Sequence, residues 1–248
     1  LRRDLPQIIE AVANTPGIEQ VAITTNGYKL TKHLPAWHAA GLTQLNVSID
    51  SLDPRQFKAI TGHDRLQELL DGIALAQTLG FKNIKVSALL LRSSNLAEFD
   101  PFLDWIKTTP ITLRFIELMQ TGDNQDYFAA NHVSGESIKQ RLEANGWQPV
   151  LRRAHAGPAQ EFCHPEYEGR IGLIMPYSKD FCSTCNRLRI SSLGKLHLCL
   201  FGEHGYDLRP LMTVDKEAEL ELALQELLQK KTATHFLHDG ETGAIQHF

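Results

Sequence analysis

Strand and helix patterns alternate along the first half of the chain, and this alternation constrains the fold more than any other feature. Four strand-like runs read "EQVAITTNG", "QLNVSID", "KNIKVSALLLR" and "ITLRFIEL". Helical patterns separate them at Leu34–Ala40, Arg65–Leu79 and Asn95–Lys107, and a further helix pattern precedes them at residues 5–12. Strands spaced by helices predict parallel βαβ units with right-handed crossovers. The sequence therefore predicts an α/β fold built on a parallel sheet.

Each predicted strand has one apolar and one polar face. On the second strand, Val47 and Ile49 share one face, and Asn46 and Ser48 share the other. Parallel sheets covered on both sides usually carry continuous apolar runs. Four alternating strands in series favour a curved sheet or partial barrel with a polar, ligand-holding interior, over an open sheet with one solvated face. Barrels keep their sites at strand C-terminal ends, which here include Thr24, Asn26, Ser48 and Met119.

From about Ser134 the rhythm changes. A helix at Gly135–Asn145 is followed by short predicted strands and then by a second amphipathic helix at Lys216–Lys231. The short strands are predicted at Trp147–Arg153, Gln160–Cys163 and Arg170–Met175. The sequence thus predicts two domains, a β/α part at residues 1–133 and a C-terminal α+β region at residues 134–248.

Composition excludes several classes of protein. The chain has 248 residues and a formal net charge of −4, whereas a nucleic-acid-binding domain usually carries a basic excess. No apolar run is long enough to span a bilayer, so we expect no membrane partner. Four cysteines are too few for a secreted disulfide scaffold. Three of them lie in one short segment, which favours metal binding in the reducing cytoplasm.

That segment carries the pattern CxxC-x13-C, formed by Cys182, Cys185 and Cys199. Three thiolates could hold zinc if a fourth ligand completed the site. They could equally hold three irons of a [4Fe–4S] cluster and leave the fourth iron open to a substrate. Cys199, which leucines flank, could also be a buried core thiol. Spacing alone leaves zinc and iron–sulfur open. The candidates for a fourth zinc ligand are Cys163, His164 and His197.

Positive charge accompanies the cysteines. Arg187 and Arg189 are two residues apart, so they share one side of an extended segment. Paired guanidinium groups form a fork suited to phosphate or carboxylate. Lys85, on the polar face of the third predicted strand, could add a further charge. A nucleotide phosphate is therefore a plausible ligand, although exposed arginines are more often solvated surface charge.

Several longer motifs now carry a resemblance. "TTNGYKL", "NVSIDSLD", "LRFIELM", "GPAQEFC", "IGLIMPYSKDFCSTCNRLRISSLGKLHLCLFG" and "THFLH" closely resemble the GTP 3′,8-cyclase (MoaA) family of molybdenum-cofactor biosynthesis, which are radical S-adenosylmethionine enzymes. The resemblance runs from Leu1 to the last residue. It implies an incomplete β/α barrel of the radical S-adenosylmethionine type, followed by a C-terminal α+β region that carries an auxiliary iron–sulfur site.

The resemblance also implies roles for individual residues. Cys182, Cys185 and Cys199 would hold three irons of an auxiliary [4Fe–4S] cluster, and the fourth iron would face the guanine of GTP. No side chain is assigned a catalytic role. Contacts to GTP are implied for Thr24, Lys85, Arg187, Leu188 and Arg189. Contacts to S-adenosylmethionine are implied for Ser48 and Met119.

The implied reaction converts GTP into (8S)-3′,8-cyclo-7,8-dihydroguanosine 5′-triphosphate. A 5′-deoxyadenosyl radical takes the ribose C3′ hydrogen, and the ribose radical adds to guanine C8. The cofactor supplies that chemistry, while the protein supplies orientation and excludes water. A protein reductant and a downstream cyclic pyranopterin monophosphate synthase are expected partners, and a homodimer is compatible with the resemblance. Rival functions are a non-catalytic zinc protein that binds nucleotides and a radical enzyme that acts on a peptide.

Three motifs of the family do not occur in the chain. Its members carry an N-terminal CxxxCxxC for a radical-generating cluster, a GGEP motif that binds the methionine end of the cofactor, and a C-terminal double glycine. Leu1 and Arg2 resemble the residues just after GGEP. We therefore expect that the chain is N-terminally truncated, that the second [4Fe–4S] cluster belongs only to a full-length protein, and that the chain as given is inactive as a cyclase.

Overall fold

The structure is a computed structural model, and it divides into two compact units. The sheet unit comprises Leu1–Leu118 and Asn131–Ile174, and the cysteine unit comprises Met119–Ala130 and Met175–Phe248. The structure describes residues 2–92, 99–121, 123–151, 157–179, 181–182, 185–200, 202 and 205–231.

The sheet unit contains the predicted parallel sheet. Its strands in spatial order are β1, β2, β3, β4, β7, β6 and β5. Strands β1, β2, β3, β4 and β7 pair in parallel in that order, and β6 and then β5 add antiparallel strands beyond β7. The prediction of an α/β fold with a largely parallel sheet is therefore confirmed. The strands are β1 Ala22–Thr25, β2 Gln44–Ser48, β3 Asn83–Leu90, β4 Thr112–Glu117, β5 Gln148–Pro149, β6 Gln160–Cys163 and β7 Arg170–Ile174.

The helices follow the predicted order with two additions. The described helices are α1 Leu5–Ala13, α2 Leu30–Ala39, α3 Pro54–Thr61, α4 Leu66–Thr78, α5 Phe99–Lys107, α6 Gln125–Asn131, α7 Gly135–Ala144 and α8 Glu217–Leu228. Helix α2 begins four residues before the predicted start, and α3 and α6 were not predicted. The first residues of the helix predicted at Asn95–Lys107 lie outside the described residues. None of the helices described is both long and apolar enough to cross a membrane.

Helix α3 shows how local chemistry starts and ends an element. Asp53 Oδ1 accepts hydrogen bonds from the N–H groups of Arg55 and Gln56 at 2.8 and 2.9 Å. Pro54 follows at the first helical position, where its missing N–H costs nothing. Gly62 ends the helix with φ of +73°, a conformation that suits glycine. The sequence carried both signals.

The apolar face of the sheet packs on helices and forms the core of this unit. Val47 on β2, Val86 on β3 and Leu113 on β4 are each 0% exposed. The ring of Phe115 lies 5.3 Å from Phe99 and 5.6 Å from Phe102, centroid to centroid. Burying each such side chain stabilises the fold by about 1.5–3 kcal/mol. The alternation predicted from sequence thus separates a helix-packed face from a polar face.

The cysteine unit is built from much shorter elements. Its three-stranded antiparallel sheet has the order β10, β9, β8, and none of these strands was predicted. Helix α8 packs on this sheet, and Leu196, Leu208 and Leu227 form a buried cluster there. The strands are β8 Arg189–Ile190, β9 Lys195–His197 and β10 Tyr206–Asp207.

Candidate functional site

The register of the sheet aligns polar side chains in rows across neighbouring strands. Thr24 on β1 pairs with Asn46 on β2, and Asn46 pairs with Lys85 on β3. Asn46 Nδ2 donates to Thr24 Oγ1 at 3.2 Å. Thr24 and Lys85, two of the residues implied to contact GTP, therefore share one row with Asn46 between them. This is the first row of the polar face.

A second row of polar side chains lies two residues further along β2 and β3. Ser48 on β2 pairs with Ser87 on β3, and Ser87 pairs with Arg114 on β4. Gly172 on β7 is the next partner of Arg114. A Cβ on Gly172 would lie 3.2 Å from Arg114 Cγ, so the glycine leaves room for the arginine stem. We refer to Thr24, Asn46, Ser48, Lys85, Ser87 and Arg114 as the polar face.

Two cations on the polar face are partly buried and near each other. Lys85 Nζ donates to Gln44 Oε1 at 3.2 Å. Burial lowers the pKa of Lys85, the charge of Arg114 lowers it further, and Glu161 opposes both effects. Burial likewise lowers the pKa of Arg114, again opposed by Glu161. Glu161 also lies 3.6 Å from Arg170. Lys85, Arg114 and Arg170 thus have only the Glu161 carboxylate among them in these contacts. The local charge is positive, and it would favour an anionic ligand on this face.

Arg114 is the residue of the polar face that the sequence analysis missed. Its Nε is buried and has no hydrogen-bond partner among the described residues. A buried donor without a partner costs about 1–3 kcal/mol, so this nitrogen is suited to an acceptor supplied by a ligand. The alternation in "ITLRFIEL" was the available signal, because it sets Arg114 opposite the apolar Leu113 and Phe115.

The loop after β1 is fixed by its own side chains. Thr25 Oγ1 accepts from Gly27 N–H at 3.0 Å, and Asn26 Oδ1 accepts from Tyr28 N–H at 3.1 Å. Gly27 has φ of +74°, and a Cβ there would lie 2.8 Å from Leu69 Cγ. The "TTNG" motif therefore closes the C-terminal end of β1 tightly against helix α4.

The two residues implied to contact S-adenosylmethionine lie in different units. Ser48 is exposed at the C-terminal end of β2 in the sheet unit. Met119 belongs to the cysteine unit, where its carbonyl accepts from Asn124 Nδ2 at 3.0 Å. The next N–H, that of Gln120, donates to Tyr177 Oη at 2.8 Å. The backbone at Met119 is thus held from two directions.

A hairpin brings the three cysteines of the cysteine unit into one neighbourhood. Strands β8 and β9 pair antiparallel, with Arg189 opposite His197. Continued toward the open end of the hairpin, this register sets Arg187 opposite Cys199. Cys185 precedes Arg187, and its N–H donates to the Cys182 carbonyl at 3.1 Å. The open end of the hairpin therefore collects the CxxC pair and the third cysteine.

The electrostatics of the thiols differ from one another. Burial raises the pKa of Cys182, and the neighbouring Cys199 and Cys185 raise it further, against the charges of Arg187 and Lys231. Burial also acts to raise the pKa of Cys185, but hydrogen bonds from the backbone and side chain of Arg187, with the charges of Arg187 and Lys231, lower it overall. The thiols thus interact with one another and with two cations.

The described residues contain no converged group of three or more metal-ligating side chains. The chemistry of the donor set nevertheless fits a three-thiolate site, because Cys185 and Cys199 both lie near enough to Cys182 to raise its pKa. All three cysteines are half-buried and outside any disulfide, which does not match the reading of Cys199 as a fully buried core thiol.

The three candidates for a fourth zinc ligand have other surroundings. His164 belongs to the sheet unit, where its ring lies 5.5 Å from Trp147 and 5.2 Å from Tyr167. Its Nδ1 accepts from the N–H of Glu166 at 3.2 Å. Cys163 lies on β6 of the same unit. His197 is buried on β9, where a Cβ on Gly205 would lie 2.5 Å from its Cε1.

The two arginines between the cysteines alternate with an exposed leucine, as the extended segment predicted. Arg187 and Arg189 are half-buried, and Leu188 is 39% exposed. The guanidinium of Arg187 lies 5.7 Å from the ring of Phe181. Burial lowers the pKa of Arg189, and the charge of Arg187 lowers it further. The arginines therefore form a second pair of neighbouring cations.

Comparisons with known families agree with this arrangement. The family model described as Radical SAM superfamily matches residues 1–106, and the model described as Molybdenum Cofactor Synthesis C matches residues 111–237. Strands β1 to β3 lie within the first match, and strands β4 to β7 lie within the second together with the cysteine segment. The chain thus combines a radical S-adenosylmethionine region with a molybdenum-cofactor-synthesis C-terminal region.

Individual relatives sharpen that class. The chain is 58% identical to a GTP 3′,8-cyclase of Aeromonas hydrophila, over 100% of this chain and 72% of the relative. It is 55% identical to one of Vibrio parahaemolyticus, over 100% of this chain and 74% of the relative. A third, from Klebsiella pneumoniae, is 55% identical over 99% of this chain and 75% of the relative. The chain belongs to the GTP 3′,8-cyclase family.

Proposed function

We propose that this chain binds GTP and serves its conversion into (8S)-3′,8-cyclo-7,8-dihydroguanosine 5′-triphosphate, an early step of molybdenum-cofactor biosynthesis. The observation that carries the proposal is identity of 55–58% over the whole chain to relatives named GTP 3′,8-cyclase. The polar face and the arginines beside the cysteines support it independently, because both are cationic and a triphosphate is strongly anionic.

In this proposal Cys182, Cys185 and Cys199 hold three irons of an auxiliary [4Fe–4S] cluster. The reason is the donor set, which offers one CxxC pair and a single further thiol rather than the two pairs of a zinc ribbon. The positive charges of Arg187 and Lys231 stabilise the thiolate forms that metal binding requires. An open iron on such a cluster would accept a ligand atom of the guanine base.

The proposed contacts to GTP are those that the family resemblance implies. In the cysteine unit, Arg187 and Arg189 offer guanidinium donors, and Leu188 contacts the nucleotide between them. In the sheet unit, Thr24 and Lys85 contact GTP from the first row of the polar face. Arg114 joins Lys85, since its buried Nε lacks an acceptor among the described residues. Charge-assisted hydrogen bonds of this kind are the stronger class.

Ser48 and Met119 are proposed to contact S-adenosylmethionine. When bound, that cofactor with its own cluster would supply the radical that removes the C3′ hydrogen of GTP. The chain's part is to bind both ligands, to orient the ribose and to exclude water. The hydrogen bonds of Asn124 and Tyr177 to the backbone around Met119 suit this positioning role.

The finer points of organisation belong to the same proposal. Residues 1–133 form a partial barrel of the radical S-adenosylmethionine type, and residues 134–248 form the cluster- and GTP-binding region. A protein reductant, a downstream cyclic pyranopterin monophosphate synthase and a homodimer are its proposed partners. Free cysteines suit a reducing compartment, and the proposed location is the cytoplasm.

The proposal is tested by measuring GTP affinity after anaerobic reconstitution with iron and sulfide. Each charge-assisted contact is worth about 1.5–3 kcal/mol, so Arg189→Ala should weaken GTP binding roughly tenfold to a hundredfold. Arg189→Lys should recover only part of the loss, because a point charge cannot reproduce the planar fork. Arg55→Ala is the matched control, since Arg55 is exposed on helix α3.

Two outcomes would favour the rival functions instead. Stoichiometric zinc without labile sulfide after reconstitution would favour a zinc protein that binds nucleotides. GTP binding that is the same in the parent chain, Arg189→Ala and Arg55→Ala would remove the nucleotide assignment, and a peptide substrate would become the better reading.

A further inference from the structure

The side chain of Lys231 joins the two segments that carry the cysteines. Its Nζ donates to the carbonyl of Arg187 at 2.9 Å and to the carbonyl of Leu198 at 2.5 Å. Arg187 lies two residues after Cys185, and Leu198 lies immediately before Cys199. One ammonium group therefore bridges the open end of the hairpin, beyond the residue pairs of β8 and β9.

Packing of helix α8 delivers Lys231 to this position. Leu227 is buried in the cluster with Leu196 and Leu208, so the C-terminal end of α8 is anchored on strand β9. The N–H of Lys231 continues the helix end by donating to the carbonyl of Leu228 at 3.1 Å. The side chain thus starts from an anchored backbone, which reduces the entropic cost of holding it in one geometry.

The partly buried ammonium of Lys231 also adds positive charge beside the thiols. Its charge acts to lower the pKa of Cys182 and of Cys185, in the same direction as Arg187. A partly buried cation is costly unless it is paired and hydrogen-bonded. The carbonyls of Arg187 and Leu198 supply its hydrogen-bond acceptors.

We propose that Lys231 is a positioning residue of the cysteine site: it clamps the open end of the β8–β9 hairpin through the Arg187 and Leu198 carbonyls and holds a positive charge beside the segments that carry the cysteines. The clamp holds in the protein without metal. The role toward an iron–sulfur cluster rests on the proposed function.

The metal-free protein tests the clamp by itself. In Lys231→Met, amide hydrogen exchange of the peptide covering residues 185–200 should accelerate about tenfold, with exchange in the sheet unit unchanged. Lys230→Met is the matched control, because Lys230 is the exposed neighbouring lysine, with its ammonium 5.4 Å from the ring of Tyr206. Equal exchange in the two variants would overturn the clamp, whatever metal the protein binds.

The reconstituted protein tests the role toward the cluster. Iron loss to a chelator should be about tenfold faster in Lys231→Met than in Lys230→Met, and a tenfold change corresponds to about 1.4 kcal/mol. The midpoint potential of the cluster should fall in Lys231→Met, since a removed cation makes reduction harder, and should move less in Lys230→Met. Equal iron loss and equal potentials in the two variants would overturn this role.

A conservative variant keeps the test decisive if Lys231→Met does not fold by circular dichroism. Lys231→Arg retains the charge but changes the donor geometry. Its potential should stay near that of the parent chain, while iron is lost faster than in Lys230→Arg. Iron loss equal to that of Lys230→Arg would contradict the clamp. A parent chain that assembles no iron–sulfur cluster would count against the proposed function, and the exchange experiment would still decide the clamp.

Discussion

The sheet unit and the cysteine unit differ in what holds their chain in place. The sheet unit buries aromatic and branched side chains from several strands and helices, including Phe99, Phe102, Phe115 and Phe162. The cysteine unit has strands of two or three residues and a buried cluster of three leucines in its described part. Apolar burial accounts for the first unit, whereas the second depends more on polar contacts and, under the proposed function, on the cluster that its thiols would hold.

This difference separates stability from site chemistry. The cations of the polar face belong to a sheet whose other face packs against helices in a hydrophobic core. Because that core stabilises the sheet, we expect the sheet unit to fold without a bound ligand. At the cysteine hairpin, the residues proposed to hold the cluster belong to the same short segments that form the hairpin. Binding free energy at such a site also counts as folding free energy.

The largest expected effect is on the cysteine hairpin. Cys185→Ser should abolish iron–sulfur assembly, because two thiolates do not hold the cluster that three can hold. Cys163→Ser should keep full iron and sulfide content, since Cys163 lies on β6 in the sheet unit. Iron and sulfide analysis with visible absorption measures both. Full cluster content in Cys185→Ser would remove it from the ligand set.

The next effect concerns the core of the sheet unit. Phe115→Ala should lower the free energy of unfolding by about 3–5 kcal/mol, as expected for a buried phenylalanine that leaves a cavity. The loss should be the same with and without iron, because the residue packs on Phe99 and Phe102 rather than on the hairpin. Urea unfolding of metal-free and reconstituted protein gives both values. A loss that depends on iron would contradict the separation of the two units.

On the polar face, a substitution of Lys85 should change GTP affinity but not the free energy of unfolding. Lys85→Gln should weaken GTP binding about tenfold without lowering the free energy of unfolding. Burial and the charge of Arg114 lower the pKa of Lys85 in the folded protein, so its charged form is disfavoured there. Calorimetry and urea unfolding measure the two quantities. A clear loss of stability would mean that Lys85 is a structural residue.

The same shift fixes the sign of a pH effect. The folded protein binds the Lys85 proton less tightly than the unfolded chain does, so the penalty is fully present below the lowered pKa. The free energy of unfolding should therefore rise with pH from the lowered pKa up to the ordinary value of 10.5. Partial exposure of the side chain keeps this effect small. Lys85→Gln should flatten that part of the profile relative to the parent chain.

The smallest effect is local to helix α3. Asp53→Ala should lower the free energy of unfolding by about 1 kcal/mol, because the carboxylate caps two N–H groups of the first turn. Asp104→Ala on helix α5 should change it by less than about 0.5 kcal/mol, as for most exposed positions. Equal effects in the two variants would show that the cap contributes nothing.

The sequence predicted most of the sheet unit because its signals are periodic. Alternating strands and the apolar stripe of Arg65–Leu79 repeat often enough to be recognised. Helix α3 was missed although Asp53 and Pro54 mark its start and Gly62 its end, because its apolar positions are few. Strands β8 to β10 could not be predicted, since two or three residues show no period.

The candidate site was predicted unevenly for a similar physical reason. The cysteines and the paired arginines are close in sequence, so spacing alone brings them together. The register between β3 and β4 sets Arg114 opposite Ser87 and thereby near Lys85, and no single strand encodes that register. Lys231 reaches carbonyls 44 and 33 residues away. Every residue has a backbone carbonyl, so no pattern of side chains in the sequence could predict which carbonyls Lys231 contacts.

The most direct test of the central claim compares GTP with ATP on the cluster-loaded and the metal-free protein by calorimetry. If the open iron faces guanine, GTP should bind the cluster-loaded protein at least about tenfold more tightly than ATP, a difference of about 1.4 kcal/mol. That preference should vanish in the metal-free protein, where phosphate contacts to the cations remain. Equal affinities for GTP and ATP on the cluster-loaded protein would contradict the account.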